Sequence, residues 1–295
     1  IAYLLCYSCM HSKKPEIPKV VNGSIDLRGW DFASNGTVRL SGDWEFYWKS
    51  FIGCDKNAVD VNPDGYLKVP GLWNKFQIED KPIKGHGYGS YRLTVLIDSG
   101  DNLAIKYLNS ATSCEIFVNG KSQFASGKPG DSEETTIPSY KPGIIELESS
   151  GPEFEIILQV ANFDHWKGGQ WEPIILVSKA QIERTRGRMI YLEIFLIGAL
   201  TFMGLFHMIL FLRLKYESAF FYFGIFMLLV AGRVSVTGEH VIYILNDFKW
   251  PLIIGLEYMN FYLTILFFLL YLRAIFKGEM NRIISVFVFV VSLLF

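Results

Sequence analysis

The residues best suited to ligand chemistry lie close together in residues 162–171, which read Asn-Phe-Asp-His-Trp-Lys-Gly-Gly-Gln-Trp. Sugar recognition uses aromatic faces against the apolar side of a pyranose and polar side chains that hydrogen-bond its hydroxyls. This stretch offers both, with two glycines that let the chain turn sharply. We therefore predict a ligand loop here, with two contributors from elsewhere in the sequence. The candidate ligand-binding residues are Asn162, His165, Trp166, Trp171, Trp73 and Arg92.

A structural interpretation of the same residues stays open. Trp166 and Trp171 would then close the open end of a β-sandwich, while Asn162 and His165 would satisfy backbone groups of their own loop. Arg92 follows a tyrosine at the start of a predicted strand, where it would hold a partner carboxylate instead of lining a pocket.

A second group of aromatic residues alternates with acids in one predicted strand. Trp44, Phe46 and Trp48 fall on one face of that strand, because side chains alternate between the two faces. We predict that they pack in a core. Asp43 and Glu45 share the opposite face, where a pair of carboxylates could suggest glycoside hydrolysis. A solvated strand face explains them more simply, so we expect no catalytic residue in this segment.

Several other classes of chemistry are disfavoured. The five histidines and four cysteines show no metal-ligand spacing, and the formal net charge of -1 gives no basic field for nucleic acid. The glycine-rich stretch at residues 85–89 lacks the Lys-Ser/Thr ending of a phosphate loop, so we predict a turn there and expect no cofactor. Cys54 and Cys114 either pair in an exported domain or remain two separate buried thiols.

The predicted ligand loop belongs to a β-rich region, residues 20–177. Short alternating runs are divided by Gly, Pro, Asn and Asp, and Asn119-Gly120 fits a two-residue hairpin turn. No run is followed by a convincing helix, so we predict an all-β antiparallel sandwich of jelly-roll type. The predicted strands are residues 24–27, 37–48, 66–69, 91–97, 103–108, 113–118, 121–124, 144–147, 154–160 and 173–177.

The remainder of the chain is apolar enough to enter a membrane, which explains a mean hydropathy of +0.25. Residues 178–188 are predicted to form a helical stalk that leads into a transmembrane bundle at residues 189–295. The predicted spans are residues 189–212, 219–236, 252–272 and 283–295. The last is too short to cross, so we expect a truncated fourth span and a natural protein that continues. Residues 237–251 are partly apolar and indicate an interfacial segment.

The chain begins with residues 1–19, which resemble the remnant of an export leader and a linker. Cys9 loosely matches a lipoprotein cleavage site, and a cleaved signal or an uncleaved anchor are the alternatives. Basic residues flanking the spans tie between the two sides, so charge does not decide orientation. We place the sandwich on the extracytoplasmic side because of the leader.

Three ionisable residues lie inside the predicted spans at similar depth. Glu193, Arg233 and Glu257 are each about one turn from the outer end of their helices, given about 1.5 Å of rise per residue. Charged groups inside a span are costly unless they face protein, water or an opposite charge. We predict a transmembrane polar layer in which Arg233 pairs with at least one carboxylate. Snorkelling of Glu193 and Arg233 to headgroup water is the alternative.

The β-rich region resembles the extracellular jelly roll of the bacterial seven-transmembrane receptors with diverse intracellular signalling modules. Its motifs are also similar to the galactose-binding-like, sugar-binding jelly roll of β-galactosidase and β-glucuronidase type glycosidases. The matching stretches are Gly23-Ser-Ile-Asp-Leu-Arg-Gly-Trp30, Val38-Arg-Leu-Ser-Gly-Asp-Trp-Glu-Phe-Tyr-Trp48, Val69-Pro-Gly-Leu-Trp73, Gly85-His-Gly-Tyr-Gly-Ser-Tyr-Arg-Leu93, Phe117-Val-Asn-Gly120 and Val160-Ala-Asn-Phe-Asp-His-Trp-Lys-Gly-Gly169.

The resemblance implies a receptor of the cell membrane that senses an extracellular small molecule, such as a carbohydrate. It also implies a cytoplasmic output module, either a histidine kinase, a nucleotide cyclase or a phosphatase, that would follow this segment. Two alternatives stay open: a membrane-anchored carbohydrate-binding protein or carbohydrate-active enzyme, and a transporter with an accessory domain. The expected partners are the ligand and the lipid bilayer, with no nucleic acid and with a homodimer left open.

Overall fold

The structure is a computed structural model of the 295-residue chain, and it describes residues 17–53, 62–78, 81–98, 102–147, 151–214 and 217–276. These residues form two compact units. Unit 1 contains the described residues up to Ile137 together with Gly143–Ile182, and unit 2 contains Pro138–Pro142 and the described residues from Glu183 onward. Each unit is described by itself below.

Unit 1 is built from two principal sheets, as the strand pattern predicts. The strands are β1 (Ser24–Asp26), β2 (Val38–Arg39), β3 (Gly42–Trp48), β4 (Gly65–Val69), β5 (Gln77–Ile78), β6 (Lys81–Pro82), β7 (Gly87–Leu96), β8 (Leu103–Tyr107), β9 (Ser113–Val118), β10 (Lys121–Ser126), β11 (Gly143–Glu146), β12 (Glu153–Asn162) and β13 (Ile175–Ser178). The larger sheet has the strand order β10-β9-β12-β7-β3-β4, the smaller has the order β11-β8-β13-β2, and β5 and β6 form a separate pair. A four-residue helix, α1 (Phe32–Asn35), lies between β1 and β2.

One strand pair departs from the predicted antiparallel arrangement. β1 pairs with β7 in parallel, along Thr94 to Leu96, whereas β3 pairs with β7 only between Gly89 and Arg92. β1 therefore occupies the edge of β7 that β3 leaves open. No parallel strand-helix-strand unit accompanies this pair among the described residues.

The core lies between the two sheets. Trp44 and Phe46 from β3 are fully buried with side chains from the smaller sheet, such as Ile105 and Leu176, and Trp48 packs against the same cluster. The Nε1 of Trp44 donates to the carbonyl oxygen of Leu40 at 2.9 Å, which satisfies its only polar atom. The prediction that the aromatic face of this strand packs in a core is confirmed. Burial of a side chain the size of Phe46 contributes about 1.5–3 kcal/mol.

The predicted strand at residues 37–48 is two strands in different sheets. β2 ends at Arg39 in the smaller sheet, and β3 begins at Gly42 in the larger one. At the crossing Gly42 has a φ of 141°, and a Cβ there would overlap the backbone of Val20. The sequence predicts one strand here because residues 37–48 have high β-propensity throughout. Propensity does not indicate which sheet a residue joins, so the change of sheet is not visible in the sequence.

The turn predicted at residues 85–89 is wrong, because β7 already begins at Gly87. The glycines there serve close packing between neighbouring strands. A Cβ at Gly87 would overlap the ring of Trp48, and a Cβ at Gly89 would lie 2.7 Å from the carbonyl oxygen of Tyr47. Glycine in a strand interior marks such close approach as often as a turn.

The hairpin predicted at Asn119-Gly120 is confirmed. Val118 of β9 pairs with Lys121 of β10, and both turn residues have positive φ, 49° and 73°. These values fit the type I′ turn, whose twist matches that of the flanking strands.

The second unit contains three helices that are long and apolar enough to cross a membrane, which indicates a membrane protein. They are α2 (Lys179–Arg213), α3 (Ser218–Val236) and α4 (Trp250–Ile275). The first four residues of α2 belong to unit 1, and the helix is continuous through the predicted stalk into the first predicted span. The predicted fourth span at residues 283–295 lies outside the described residues.

The connection between α3 and α4 combines a tight turn with exposed apolar side chains. His240 has a left-handed backbone with a φ of 51°, and a 3-10 helix follows at Val241–Ile244. Ile244 and Leu245 are 62% and 81% exposed. Exposed apolar side chains next to membrane helices are typical of a segment that lies in the bilayer interface.

Glycines bring α2 and α3 into close contact. A Cβ on Gly204 would lie 3.0 Å from the carbonyl oxygen of Gly224 and 2.8 Å from Leu228 Cγ, and a Cβ on Gly224 would lie 3.0 Å from the carbonyl oxygen of Gly204. Small residues at such points allow two helix backbones to approach within a membrane, where dispersion and weak hydrogen bonds drive association.

We expect Gly204→Val to lower the thermal unfolding temperature of the chain in lipid nanodiscs, because the new side chain must push α2 away from α3. Overpacking of this kind costs about 1–3 kcal/mol. Gly198→Val is the matched control, since Gly198 lies on the same helix and a Cβ there meets nothing within 4 Å. Equal unfolding temperatures for the two variants would show that the glycine contact does not stabilise the bundle.

Candidate ligand-binding site

The predicted ligand loop follows β12 at one end of the sandwich, and Asn162 organises it. This residue pairs with Gly87 of β7 and is fully buried. Its Nδ2 donates to the carbonyl oxygens of Gly85 at 2.8 Å, His165 at 2.6 Å and Lys167 at 3.2 Å. Its Oδ1 accepts from the N–H of His165 at 3.1 Å. A buried amide with this many partners fixes the path of the loop.

Trp73 holds the same loop from the buried side. Its indole is fully buried, and its Nε1 donates to the carbonyl oxygen of Gly85 at 2.9 Å. Its backbone N–H donates to the carbonyl oxygen of Gly168 at 3.1 Å. A Cβ on Gly168 would overlap the indole, so only glycine fits there without a shift. Trp73 therefore supports the loop and presents no surface to a ligand.

Asn74 is a second support that the sequence did not single out. Its Nδ2 donates to the carbonyl oxygen of Trp166 at 2.9 Å, and its Oδ1 accepts from the N–H of Gly168 at 2.9 Å. The residue lies in the 3-10 helix Trp73–Lys75, and a single asparagine there carries no distinguishing signal in the sequence.

The surface of this loop is aromatic. Trp166 is 68% exposed, although its neighbours in the loop are fixed by buried groups. The ring of His165 lies 6.0 Å from that of Trp166 at an interplanar angle of 25°, and 4.9 Å from that of Trp171 at 65°. We call these three side chains, His165, Trp166 and Trp171, the aromatic platform. An exposed indole held in place in this way offers a face for stacking.

His165 also supplies a polar edge to the aromatic platform. Its Nδ1 lies 3.1 Å from the backbone N of Lys167 and 3.3 Å from the carbonyl oxygen of the same residue, so it accepts from the N–H in the tautomer protonated at Nε2 and donates to the carbonyl when Nδ1 is protonated. Burial lowers the pKa of His165. A hydrogen bond with the backbone of Lys167 raises this pKa, whereas electrostatic repulsion from Lys167 and His86 lowers it. The lowered pKa favours the neutral ring, which donates through Nε2 in the tautomer that has Nδ1 as acceptor.

Arg92 does not lie at the loop, and this part of the predicted site is wrong. It pairs in register with Ile157, five residues along β7 from the pair of Gly87 and Asn162, or about 17 Å away at about 3.4 Å per residue. Its Nε lies 2.5 Å from Glu45 Oε2 and 3.9 Å from Glu155 Oε2. Arg92 holds partner carboxylates on the outer face of the larger sheet, which is its structural interpretation.

The ion cluster on that face carries a pH-dependent cost. Burial raises the pKa of Glu155; Arg92 opposes this shift, and Glu45 and Glu153 add to it. The pKa of Glu155 is therefore higher in the folded chain than in the unfolded chain. At a pH below the unfolded-state pKa the protonated carboxyl group contributes its full stabilisation of the fold. This stabilisation is lost as the pH rises through the folded-state pKa.

We therefore expect Glu155→Gln to stabilise the chain at pH 7 by less than about 1 kcal/mol, because the half-exposed carboxylate is screened by solvent. The gain should shrink at pH 4, when the native carboxyl is protonated. Urea unfolding at both pH values measures it, with Glu153→Gln as the control for net charge. A gain that is larger at pH 4 than at pH 7 would contradict this assignment.

Arg233 is predicted to pair with at least one of Glu193 and Glu257, but among the described residues no carboxylate oxygen lies within 4.0 Å of its guanidinium nitrogens. The Nη1 of Arg233 lies 3.4 Å from the backbone carbonyl oxygen of Glu257, and its guanidinium lies 5.1 Å from the ring centroid of Phe261. The Oε1 of Glu193 accepts from the backbone N–H of Glu239 at 3.0 Å. These side chains link helices and a loop through backbone groups instead.

The described residues contain no group of three His, Cys, Asp or Glu side chains able to hold a metal. Cys114 is buried, and burial raises the pKa of its thiol to about 12, so it is not a reactive thiolate. Cys54 and Cys9 lie outside the described residues.

Comparison with known proteins gives a structural likeness only. No protein-family model matches the chain, and no curated protein matches it. Among solved structures, a GH2 β-galacturonidase from Eisenbergiella tayi bound to galacturonate is similar, with a TM-score of 0.34, 15% identity, and coverage of 48% of this chain and 24% of that chain. A β-glucuronidase from Ruminococcus gnavus is similar with a TM-score of 0.37, 12% identity, and coverage of 48% and 28%. The chain thus spans about a quarter of the length of these enzymes.

The fold and the site together define a class of protein: a membrane protein in which a β-sandwich with an exposed aromatic platform is joined to membrane-spanning helices.

Proposed function

We propose that the chain is the sensor part of a transmembrane receptor. Its jelly-roll sandwich lies on the extracytoplasmic side and binds a saccharide at the aromatic platform, and its helices belong to a seven-helix bundle that drives a cytoplasmic output module. The observation that carries the proposal is Trp166, a large indole that is 68% exposed yet set on a loop fixed by buried hydrogen bonds.

The chemistry of the platform suits a sugar ring. The indole face of Trp166 packs against the apolar C–H face of a pyranose, and the Nε2–H of His165 and the ammonium of Lys167 donate to its oxygens. Because Asn162 and Asn74 already fix the loop, little conformational entropy is lost when a ligand binds.

The connection from sandwich to membrane supports signalling. β13 ends at Ser178 and α2 begins at Lys179 without an intervening loop. Lys179 Nζ lies 2.5 Å from Glu146 Oε2, and Ile182 packs with Ala104 and Val177 of the sandwich. The first turn of α2 thus packs on the smaller sheet in a cluster separate from the main core, and the same helix continues to Arg213.

The test is a glycan array probed with the 295-residue chain in nanodiscs. We expect saccharide binding that Trp166→Ala abolishes while leaving the unfolding temperature within about 1 °C, because an exposed side chain adds little to stability. Tyr66→Ala is the control, since Tyr66 is a 46% exposed aromatic residue on β4, away from the loop. Absence of any saccharide binding, or binding that Trp166→Ala leaves unchanged, would contradict the proposal.

The signalling part needs the full-length receptor. A saccharide identified on the array should change the output of the wild-type receptor in cells but not that of Trp166→Ala. If the saccharide binds and the output does not respond, the chain is a binding protein and the receptor assignment is wrong.

A further inference from the structure

A positive charge lies against the aromatic platform. The Nζ of Lys167 lies 4.4 Å from the ring centroid of Trp166, as a cation over an aromatic face. Across the part of the chain that the structure describes, no carboxylate lies within 4.0 Å of this ammonium. A cation that is held over a ring and lacks an anionic partner is available to an anionic ligand.

Two more basic residues flank the same loop. Gly85 is in direct contact with it, because its carbonyl oxygen accepts from Asn162 and Trp73, and a Cβ there would overlap the carbonyl of Trp166. Lys84 and His86, on either side of Gly85, are both exposed. His86 directly follows Gly85, which touches the loop, so it lies beside the loop.

Two acids lie in the same part of the sequence. The carboxylate of Asp164 accepts from Thr112 Oγ1 at 3.4 Å, just before β9, and Glu172 follows Trp171. Among the described residues neither carboxylate lies within 4.0 Å of the Lys167 ammonium, so the cation over Trp166 is not held in an ion pair.

We infer that the aromatic platform selects acidic saccharides, in which a uronic acid ring stacks on Trp166 and its carboxylate pairs with the ammonium of Lys167. The inference rests on the proposed function and names its ligand class. A neutral hexose offers a hydroxymethyl group at the same carbon, which accepts a weaker hydrogen bond than a carboxylate does. Lys167 can exchange the ring of Trp166 for the carboxylate, because a cation–π contact at an exposed site is weak.

The test uses the same chain in nanodiscs on an array that holds neutral, uronic-acid and sulfated glycans. We expect uronic-acid glycans to dominate the Trp166-dependent binding. The strongest such glycan is then compared by calorimetry with its carboxyl-reduced form, in which a neutral hydroxymethyl group replaces the carboxylate. Reduction should weaken binding to the wild-type chain by about tenfold or more, as expected for loss of a charge-assisted hydrogen bond.

The residue assignment is tested by Lys167→Met. This variant should bind the acidic glycan only as tightly as it binds the carboxyl-reduced glycan. Its affinity for the carboxyl-reduced glycan should equal that of the wild-type chain. Lys167→Arg should retain most of the preference for the acidic glycan over the reduced one. Lys121→Met controls for net charge, because Lys121 is exposed in the hairpin at the far end of β9.

The outcomes separate the two ideas. Trp166-dependent binding of neutral or only sulfated glycans would overturn the inference and leave the proposed function standing, as would an unchanged acid preference in Lys167→Met. A complete lack of saccharide binding would overturn both.

Discussion

Asn162→Asp is expected to lower the free energy of unfolding by about 3–5 kcal/mol, the range seen when a buried charge is left without a partner. The wild-type amide donates to three carbonyl oxygens from a fully buried position. In the aspartate variant a carboxylate oxygen would replace the amide nitrogen. This oxygen cannot donate to the three carbonyl oxygens, and it would place a buried negative charge beside them. Guanidinium unfolding of the chain in nanodiscs, followed by near-ultraviolet circular dichroism of the tryptophans, measures the loss.

The loss should depend on pH in a defined direction. A buried carboxyl group has a raised pKa, and its protonated form can donate one hydrogen bond, so the variant should be less impaired at pH 4.5 than at pH 8. Asn102→Asp, at an exposed position, is the control for the chemical change. Equal stability of the two variants would show that Asn162 does not hold the loop together.

Gly168→Ala is expected to have the next largest effect, because the added methyl group would overlap the buried indole of Trp73 and the carbonyl oxygen of Gly85. Neither neighbour is the free end of a flexible side chain. Overpacking typically costs about 1–3 kcal/mol, and we expect the upper end of that range together with loss of saccharide binding.

Gly151→Ala provides the matched comparison for this steric effect. A Cβ at Gly151 meets nothing within 4 Å, and neither glycine lies in the left-handed region, so the two changes differ only in the space available. Thermal unfolding of both variants decides the matter. A Gly168→Ala chain that unfolds at the temperature of Gly151→Ala would mean that the loop does not pack on Trp73.

Much of the architecture could be predicted from local sequence signals. Membrane helices follow from hydropathy, because lipid requires long apolar segments whose backbone groups bond internally. The strands follow from alternation and from turn residues such as Asn119-Gly120. The change of sheet between Arg39 and Gly42 could not be predicted, since it depends on the contact of Gly42 with Val20, which comes from outside the strand.

The candidate site could be predicted only where it is continuous in sequence. Residues 162–171 stand out because aromatic, polar and glycine residues are adjacent, and the structure brings His165, Trp166 and Trp171 together. The prediction that Arg92 lies at the loop is wrong, because five residues along β7 separate Arg92 from Gly87, which is about 17 Å at about 3.4 Å per residue. Asn74 was missed because its role depends on partners about ninety residues away.

The membrane residues show a further limit. Depth along a helix follows from residue counting, and Glu193, Arg233 and Glu257 were compared on that basis alone. Direction around the helix and the reach of each side chain depend on packing. In the structure Arg233 Nη1 lies 3.4 Å from the carbonyl oxygen of Glu257 in α4, and Glu193 Oε1 accepts from the backbone N–H of Glu239.

The central claim is that a saccharide binds on the exposed face of Trp166. The chain has seven tryptophans, so 5-fluorotryptophan labelling gives seven fluorine signals, which Trp→Phe variants assign one by one. Titration of the nanodisc-embedded chain with the strongest glycan from the array should shift the Trp166 signal most and the Trp171 signal next, while the buried Trp44 and Trp73 signals stay nearly fixed. Shifts confined to Trp30, Trp48 or Trp250, with Trp166 unmoved, would contradict the account.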